Sequence, residues 1–201
     1  MDILIMVILG YVFGSIPWAL IIGKVFYKTD IRQHGSGNLG GTNAGRVLGK
    51  KAGISVALMD SLKGFIAIAI AVTLFSKEAG IAAGLAAAFG HCYPIFANFK
   101  GGKAVSTAFG YLLGVSVFIT GNPQFLFLIP LVTFFGMLKL TKIVSLSSMV
   151  SVTLAAILTY FLQPDLYVFL AMAVIALLVI WRHRSNVQRI LSNTERKITW
   201  M

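Results

Sequence analysis

Residues 2–28 read DILIMVILGYVFGSIPWALIIGKVFYK, an apolar run from Ile3 to Gly23 closed by Lys24 and Lys28. A helix rises about 1.5 Å per residue and a bilayer core is about 30 Å thick, so this run is long enough to cross a membrane. It begins Met1-Asp2 without a basic leader, runs past the length of a usual signal-peptide core and offers no persuasive cleavage site. It therefore reads as a retained first span. Comparable runs follow at about 53–75, 79–97, 104–120, 123–139, 143–162 and 166–181. Seven spans is the best count, with six or five as the alternatives. Pro17, Pro94 and Pro130 fall inside or near the ends of spans, so kinks are expected there, with neighbouring helices satisfying the freed backbone groups. The expected fold is all-α: one polytopic integral membrane bundle occupying residues 1–201 as a single domain.

Composition agrees. The chain is 58% hydrophobic and 11% charged, with mean hydropathy +0.88, against roughly 25% charged residues in soluble domains. Seventeen Lys or Arg stand against six Asp or Glu, for a net charge of +11. Such an excess suits nucleic acid, an anionic membrane face or an anionic substrate, and placement decides among them. Lys24, Lys28, Arg32, Arg46, Lys50, Lys51, Lys100, Lys103, Lys139, Lys142, Arg182, Arg184, Arg189, Arg196 and Lys197, fifteen of the seventeen, fall in loops of one side. The other side has Lys77 with Asp2, Glu78 and Asp165, and Lys63 lies within the second span. Because Lys and Arg accumulate on the cytoplasmic side, the N-terminus is expected outside and the C-terminus inside. The charge is thus explained by topology and an anionic substrate; nucleic acid is not an expected partner. The lone Cys92 excludes an intramolecular disulfide.

Three polar segments, 28–51, 98–107 and 182–197, share the expected cytoplasmic side and can meet in one site. In the first, six glycines between Gly35 and Gly49 let the backbone approach a ligand, and Ser36, Thr42, Asn43, Arg46 and Lys50 can donate to an oxyanion. A flexible polar loop whose charges only set topology is the competing reading. Gly35-x-Gly37-x-x-Gly40 matches a dinucleotide fingerprint but follows a span instead of a strand, and neither Gly49-Lys50 nor Gly102-Lys103 has the flanking residues of a P-loop. In the second, Gly101-Gly102-Lys103 precedes a span, so free N–H groups and a cation can serve one anion. His91 is expected about two turns inside its span, where an ionisable group is a functional candidate, with a satisfied structural histidine as the alternative. In the third, His183 and Asn186 at i,i+3 can face the same anion, although an interfacial amphipathic anchor explains the same residues. Asp60 and Lys63, also i,i+3, read as a structural ion pair, and Ser145 lies where it can join the site.

Together these residues resemble the PlsY family of bacterial membrane glycerol-3-phosphate acyltransferases. The resemblance rests on Gly14-Ser15-Ile16-Pro17, Gly35-Ser36-Gly37-Asn38, Gly41-Thr42-Asn43 with Arg46, Gly90-His91 through Lys100-Gly101-Gly102-Lys103, and His183-Arg184 with Asn186 and Glu195. Ala104 and Asn193 stand where the family often has Gly. The resemblance implies transfer of an acyl chain from acyl phosphate to the sn-1 hydroxyl of glycerol 3-phosphate, giving lysophosphatidic acid and phosphate at the inner face of a bacterial cytoplasmic membrane. No cofactor, metal or obligate protein partner is implied; the partners are the two substrates and membrane lipids. None of His34, His91 or His183 begins a His-x-x-x-x-Asp acyltransferase motif, so another mechanism is required. The expected catalytic residues are His91, His183 and Lys103; the expected binding residues are Ser36, Gly37, Asn38, Thr42, Asn43, Arg46, Lys50, Gly101, Gly102, Thr107, Ser145 and Asn186. Either histidine, or a substrate phosphate, can take the hydroxyl proton. An acyl-Cys92 intermediate is disfavoured because a lone buried thiol is inert. The reading from another class is a transporter for a small phosphorylated or anionic solute, against which stands the clustering of polar residues at one face.

Overall fold

The computed structural model describes residues 1–198, and among them every regular element is helical. The elements are α1 Asp2–Gly14, α2 Trp18–Tyr27, α3 Gly41–Leu48, α4 Lys50–Leu74, α5 Lys77–Cys92, α6 Val105–Val115, α7 Ile129–Thr141, α8 Val144–Leu162, α9 Leu166–Arg182 and α10 Arg184–Leu191. Wider π turns extend α6 over Ser116–Thr120 and precede α7 over Gln124–Leu128. Among the described residues, five helical stretches are long and apolar enough to span: Asp2–Tyr27, Lys50–Leu74, Lys77–Ala97, Gln124–Thr141 and Val144–Leu162. The pair α9 and α10 makes a sixth if counted together across a 57° bend, and Val105–Thr120 is apolar but shorter.

The first span is broken, as Pro17 requires. A proline ring offers no N–H and clashes with the preceding turn, so α1 stops at Gly14 and α2 starts at Trp18, carrying the helix on to Tyr27 instead of ending near residue 23. The freed carbonyls of Gly14 and Ile16 each accept a 2.9 Å bond from Lys63 Nζ on α4.

Small residues set the helix spacing. A Cβ on Gly10 would strike the backbone of Ala83, and one on Gly14 the backbone of Ala87. These contacts advance together along both chains, so α1 and α5 run parallel. The same logic holds for α4 and α6, where Gly64 meets Thr107 and Tyr111, and Gly114 meets Ile68. Close backbone approach through glycine and alanine is the usual means of helix association in lipid, where hydrophobic burial supplies little drive. The parallel pairs send the chain after α1–α2 and after α5 to the same end of the bundle. The segment between α2 and α4 therefore lies at the same end as the segment between α5 and α6.

Candidate active site

Within the first loop, Asp30 accepts from the backbone N of Arg32 at 3.1 Å and from its guanidinium at 2.9 and 2.6 Å. This fork holds the Asp30 carboxyl well below its usual range, against the opposing effect of burial. Asn43, in the first turn of α3, is buried, and its amide is committed to the protein. Its Oδ1 accepts from Ser36 N at 2.9 Å, and its Nδ2 donates to His34 O at 3.2 Å and Ile31 O at 3.4 Å. Asn43 thus shapes the loop that presents Ser36, Gly37 and Asn38, with Gly35 and Gly37 at positive φ. Ser36, Thr42, Arg46 and Lys50 are solvent-exposed. Tight contacts of Gly41 and Gly45 with Gly53 dock α3 on α4, and Arg46 thereby comes within electrostatic range of Glu195, Arg189 and Arg196.

The second segment is shaped by Pro94, which disfavours helical backbone in the residue before it. Helix α5 consequently ends at Cys92, with His91 in its last turn, while the span runs on to Ala97, so His91 lies about two turns inside it as expected. Asn98, Phe99 and Ala104 all adopt positive φ, so Ala104 holds a conformation that costs an L-residue about 1–2 kcal/mol. Asn193, the other departure from glycine, also has positive φ. Between them, Gly102 N donates to His91 O at 3.0 Å. Arg182 donates from Nε to Gly102 O at 3.1 Å and from Nη2 to Gly101 O at 3.2 Å, while stacking over the Tyr93 ring at 5.1 Å. The end of α9 therefore fixes the glycine pair from above and the end of α5 fixes it from below.

The third segment closes the cluster. Lys103 Nζ donates to Asn186 Oδ1, and Asn186 Nδ2 donates to Glu195 Oε1 at 2.6 Å. Ser145 Oγ donates to the same oxygen at 2.8 Å, and Arg189 Nε donates to Oε2 at 2.7 Å. Ser147 and Ser148, by contrast, donate back to carbonyls of their own helix region. The tail is tied down once more where Ile198 N donates to Lys142 O at 2.8 Å. Burial works against the Glu195 charge, but the bonds from Asn186, Ser145 and Arg189 outweigh it and hold the carboxyl below its usual range. Burial lowers Lys103 from 10.5 to about 8; Glu195 opposes that shift, and Arg189, Arg182 and Arg46 reinforce it. His183, one residue beyond α9, is lowered to about 4 by burial and by Lys103.

Beneath this cluster lies a buried one. Lys63 Nζ reaches Asp60 Oδ1 at 3.0 Å and His91 Nδ1 at 3.1 Å, besides the two carbonyls of the broken first span. Asp60 and Lys63 thus form the expected ion pair. Their third partner, His91, lies 28 residues along the chain from Lys63, and nothing in the local pattern announced it. Thr107 does not join the Lys103 network by a hydrogen bond: its backbone carbonyl lies against Gly64, and its hydroxyl is buried without a hydrogen-bond partner among the described residues. Cys92 is fully buried at the end of α5. Arg182, Arg189 and Glu195 were not among the expected catalytic or binding residues, although Glu195 stood with Asn186 in the motif that carried the resemblance; the bonds of Glu195 to Asn186, Ser145 and Arg189 come from the fold of the tail.

A sequence model of the family described as glycerol-3-phosphate acyltransferase matches residues 4–193. The chain is similar to the glycerol-3-phosphate acyltransferase of Bacillus cytotoxicus, 47% identical over 193 residues, covering 96% of this chain and 93% of that one. It is 43% identical over 196 residues to the glycerol-3-phosphate acyltransferase of Geobacillus kaustophilus, covering 98% and 96%. Among solved structures it resembles PlsY (YgiH), an integral membrane glycerol 3-phosphate acyltransferase, in its glycerol 3-phosphate form: TM-score 0.91, 37% identity, 99% of this chain and 96% of that one. The lysophosphatidic acid form of the same protein gives a TM-score of 0.88 at 36% identity, with the same coverage.

Proposed function

Since the chain belongs to the glycerol-3-phosphate acyltransferase family, we propose that it moves a fatty acyl group from acyl phosphate to the sn-1 hydroxyl of glycerol 3-phosphate. The products are lysophosphatidic acid and inorganic phosphate. The observation that carries this reading is the hydrogen-bonded run from Lys103 through Asn186 and Glu195 to Ser145, which gathers three remote segments beside Arg46, Arg182 and Arg189. Two dianionic substrates need such a concentration of cations and hydrogen-bond donors, and a mixed anhydride needs little else from the protein than alignment and charge stabilisation.

In the proposed step the sn-1 oxygen attacks the acyl carbonyl carbon, the carbonyl C–O bond to phosphate breaks, and phosphate departs with the electron pair. Lys103 stabilises the developing negative charge, and Ser36, Gly37, Asn38, Thr42, Arg46, Lys50, Gly101 and Gly102 hold the phosphates. Asn43 acts by shaping the loop. His183 Nδ1 lies 2.8 Å from Val179 O, a carbonyl that only accepts, so Nδ1 carries the proton and Nε2 keeps its lone pair. With its pKa at about 4, His183 is a weak base that orients the hydroxyl by accepting its hydrogen bond. A substrate phosphate, with a second pKa near 6, is the better acceptor of that proton.

The spans are α1–α2, α4, α5, α6 with its π turn, α7 with its π turn, α8 and α9, seven in all. The cation-rich end faces the cytoplasm, at the inner membrane of a bacterium, with the N-terminus outside. Parallel packing of α1 with α5 and of α4 with α6 supports the crossings of α4 and α5, because it requires an odd number of crossings between partners.

The test is a purified-protein assay with labelled glycerol 3-phosphate and acyl phosphate, acyl-CoA or acyl-carrier protein in turn. Lysophosphatidate should appear with acyl phosphate alone. Uptake of phosphate esters into vesicles without product from any donor would replace this reading with transport. A pH profile adds a second check, since Lys103 must be protonated to act. With its pKa lowered to about 8, kcat/KM should hold steady between the substrate phosphate's second pKa near 6 and that pH, and fall on either side. Lys103→Arg, whose guanidinium stays charged, should lose the alkaline limb.

A further inference from the structure

Lys63 is 1% exposed and Asp60 is 2% exposed, in the middle of α4. An ion pair here needs a reason, because taking charges into a membrane bundle costs several kcal/mol. Capping the break in the first span accounts for two of the four Lys63 contacts, and Asp60 accounts for a third. The fourth, to His91 Nδ1 at 3.1 Å, has a chemical consequence. Three N–H donors serve these four acceptors, so one is shared; and because an ammonium donates and cannot accept, His91 Nδ1 meets Lys63 with its lone pair. The ring proton of neutral His91 must then be on Nε2. The opposite tautomer would face two donors at 3.1 Å and leave Nδ1–H only a 3.5 Å approach to Asp60 Oδ1, at the limit of hydrogen-bond range.

Nε2 sits on the edge of the ring turned toward Gly102. A Cβ there would collide with Nε2, Cε1 and Cδ2 of His91. The N–H therefore points at the loop whose next residue is Lys103. We propose that Lys63 is a positioning residue that fixes His91 as an Nε2–H donor, and that His91 gives this hydrogen bond to an anionic substrate oxygen held over Gly101–Lys103. The proposal rests on the acyl-transfer reading above and assigns the two histidines opposite roles: His91 donates, whereas His183, protonated on Nδ1, accepts.

Ring nitrogen spectra of protein labelled with 15N-histidine, recorded without substrate and assigned with single histidine variants, read the tautomers directly. His91 should show a protonated Nε2 and a bare Nδ1, and His183 the reverse. Asp60, Lys63 and Arg182 are the charged groups facing His91, and Lys63→Met should mix its tautomers while Lys63→Arg restores the preference. In kinetics, Lys63→Met should lower kcat at least about tenfold, the scale of one oriented hydrogen bond, with KM for glycerol 3-phosphate within about threefold. His91→Gln retains an N–H donor and should stay within about tenfold of the wild type with an unchanged pH profile, while His91→Ala falls further. Protonation of His91 on Nδ1 in the wild type would overturn the proposal. So would a His91→Gln loss of about 10²–10⁴ with the acid limb of the profile gone, as a general base requires. Should Lys63→Met fail to fold, the wild-type spectrum decides alone; and since that spectrum needs no turnover, it separates failure of this device from failure of the acyl-transfer reading.

Discussion

Lys103→Ala is expected to lower kcat/KM by about 10³, with a melting temperature close to that of the unaltered protein. Lys103 belongs to the hydrogen-bonded cluster, held there by Asn186, and it stands where the glycine pair ends and α6 begins. Removing a single preorganised donor to a developing oxyanion costs about 10²–10³ in kcat. Loss of a positive charge against a phosphate adds a binding component, which carries the total to the upper end. The structural cost is small by comparison. Asn186 Oδ1 loses one donor at about 1–3 kcal/mol, while its Nδ2 stays bonded to Glu195 and Glu195 keeps Ser145 and Arg189. Steady-state kinetics beside a thermal melt in detergent checks both halves. A variant within fivefold of full activity would remove Lys103 from the mechanism.

Gly110→Ala is expected to have the largest effect on folding. The added Cβ would land on Ser61 O, with the Ser61 carbonyl carbon at 2.7 Å and Phe65 N at 3.2 Å, all backbone of α4. Backbone cannot swing aside as a side-chain tip can, so α4 and α6 must separate. Separation also breaks the adjoining contacts of Gly64 with Thr107 and Tyr111 and of Gly114 with Ile68. Overpacking costs about 1–3 kcal/mol where side chains can give, and here the obstacle is rigid, so the loss should exceed that range. Gly136→Ala is the control: nothing lies within 4 Å of a Cβ there, and in a helix interior alanine is favoured over glycine by roughly 0.5–1 kcal/mol. The melting temperature should drop steeply for Gly110→Ala and hold or rise for Gly136→Ala.

The helical bundle was legible because bilayer thickness imposes a length on apolar runs. Pro17 announced its break for an equally local reason. The positive φ of Ala104 and Asn193 could be anticipated from their standing where glycine is usual. What could not be read depends on pairs far apart in sequence. Lys63 looked like half of a simple i,i+3 pair, yet two of its partners are carbonyls of another helix and a third is His91. Asn43 looked like a ligand-binding amide, whereas its donors and acceptor are spent on His34, Ile31 and Ser36. Thr107 shares the polar character of the site, but its hydroxyl is buried without a partner among the described residues. The tail balanced between anchor and site until its return to Ser145 and Lys142 placed Glu195 at the centre. Composition tells which residues can bind phosphate; only packing tells which are still free to.

The account as a whole depends on the three polar segments meeting on the inner side of the membrane. Ser36→Cys, Lys100→Cys and Arg196→Cys, each introduced into a Cys92→Ala background, put one thiol in each segment. Labelling with a membrane-impermeant maleimide, in intact cells and in inverted vesicles, should modify all three only in the inverted vesicles. Modification of any one of them in intact cells would place that segment outside and contradict a shared inner site.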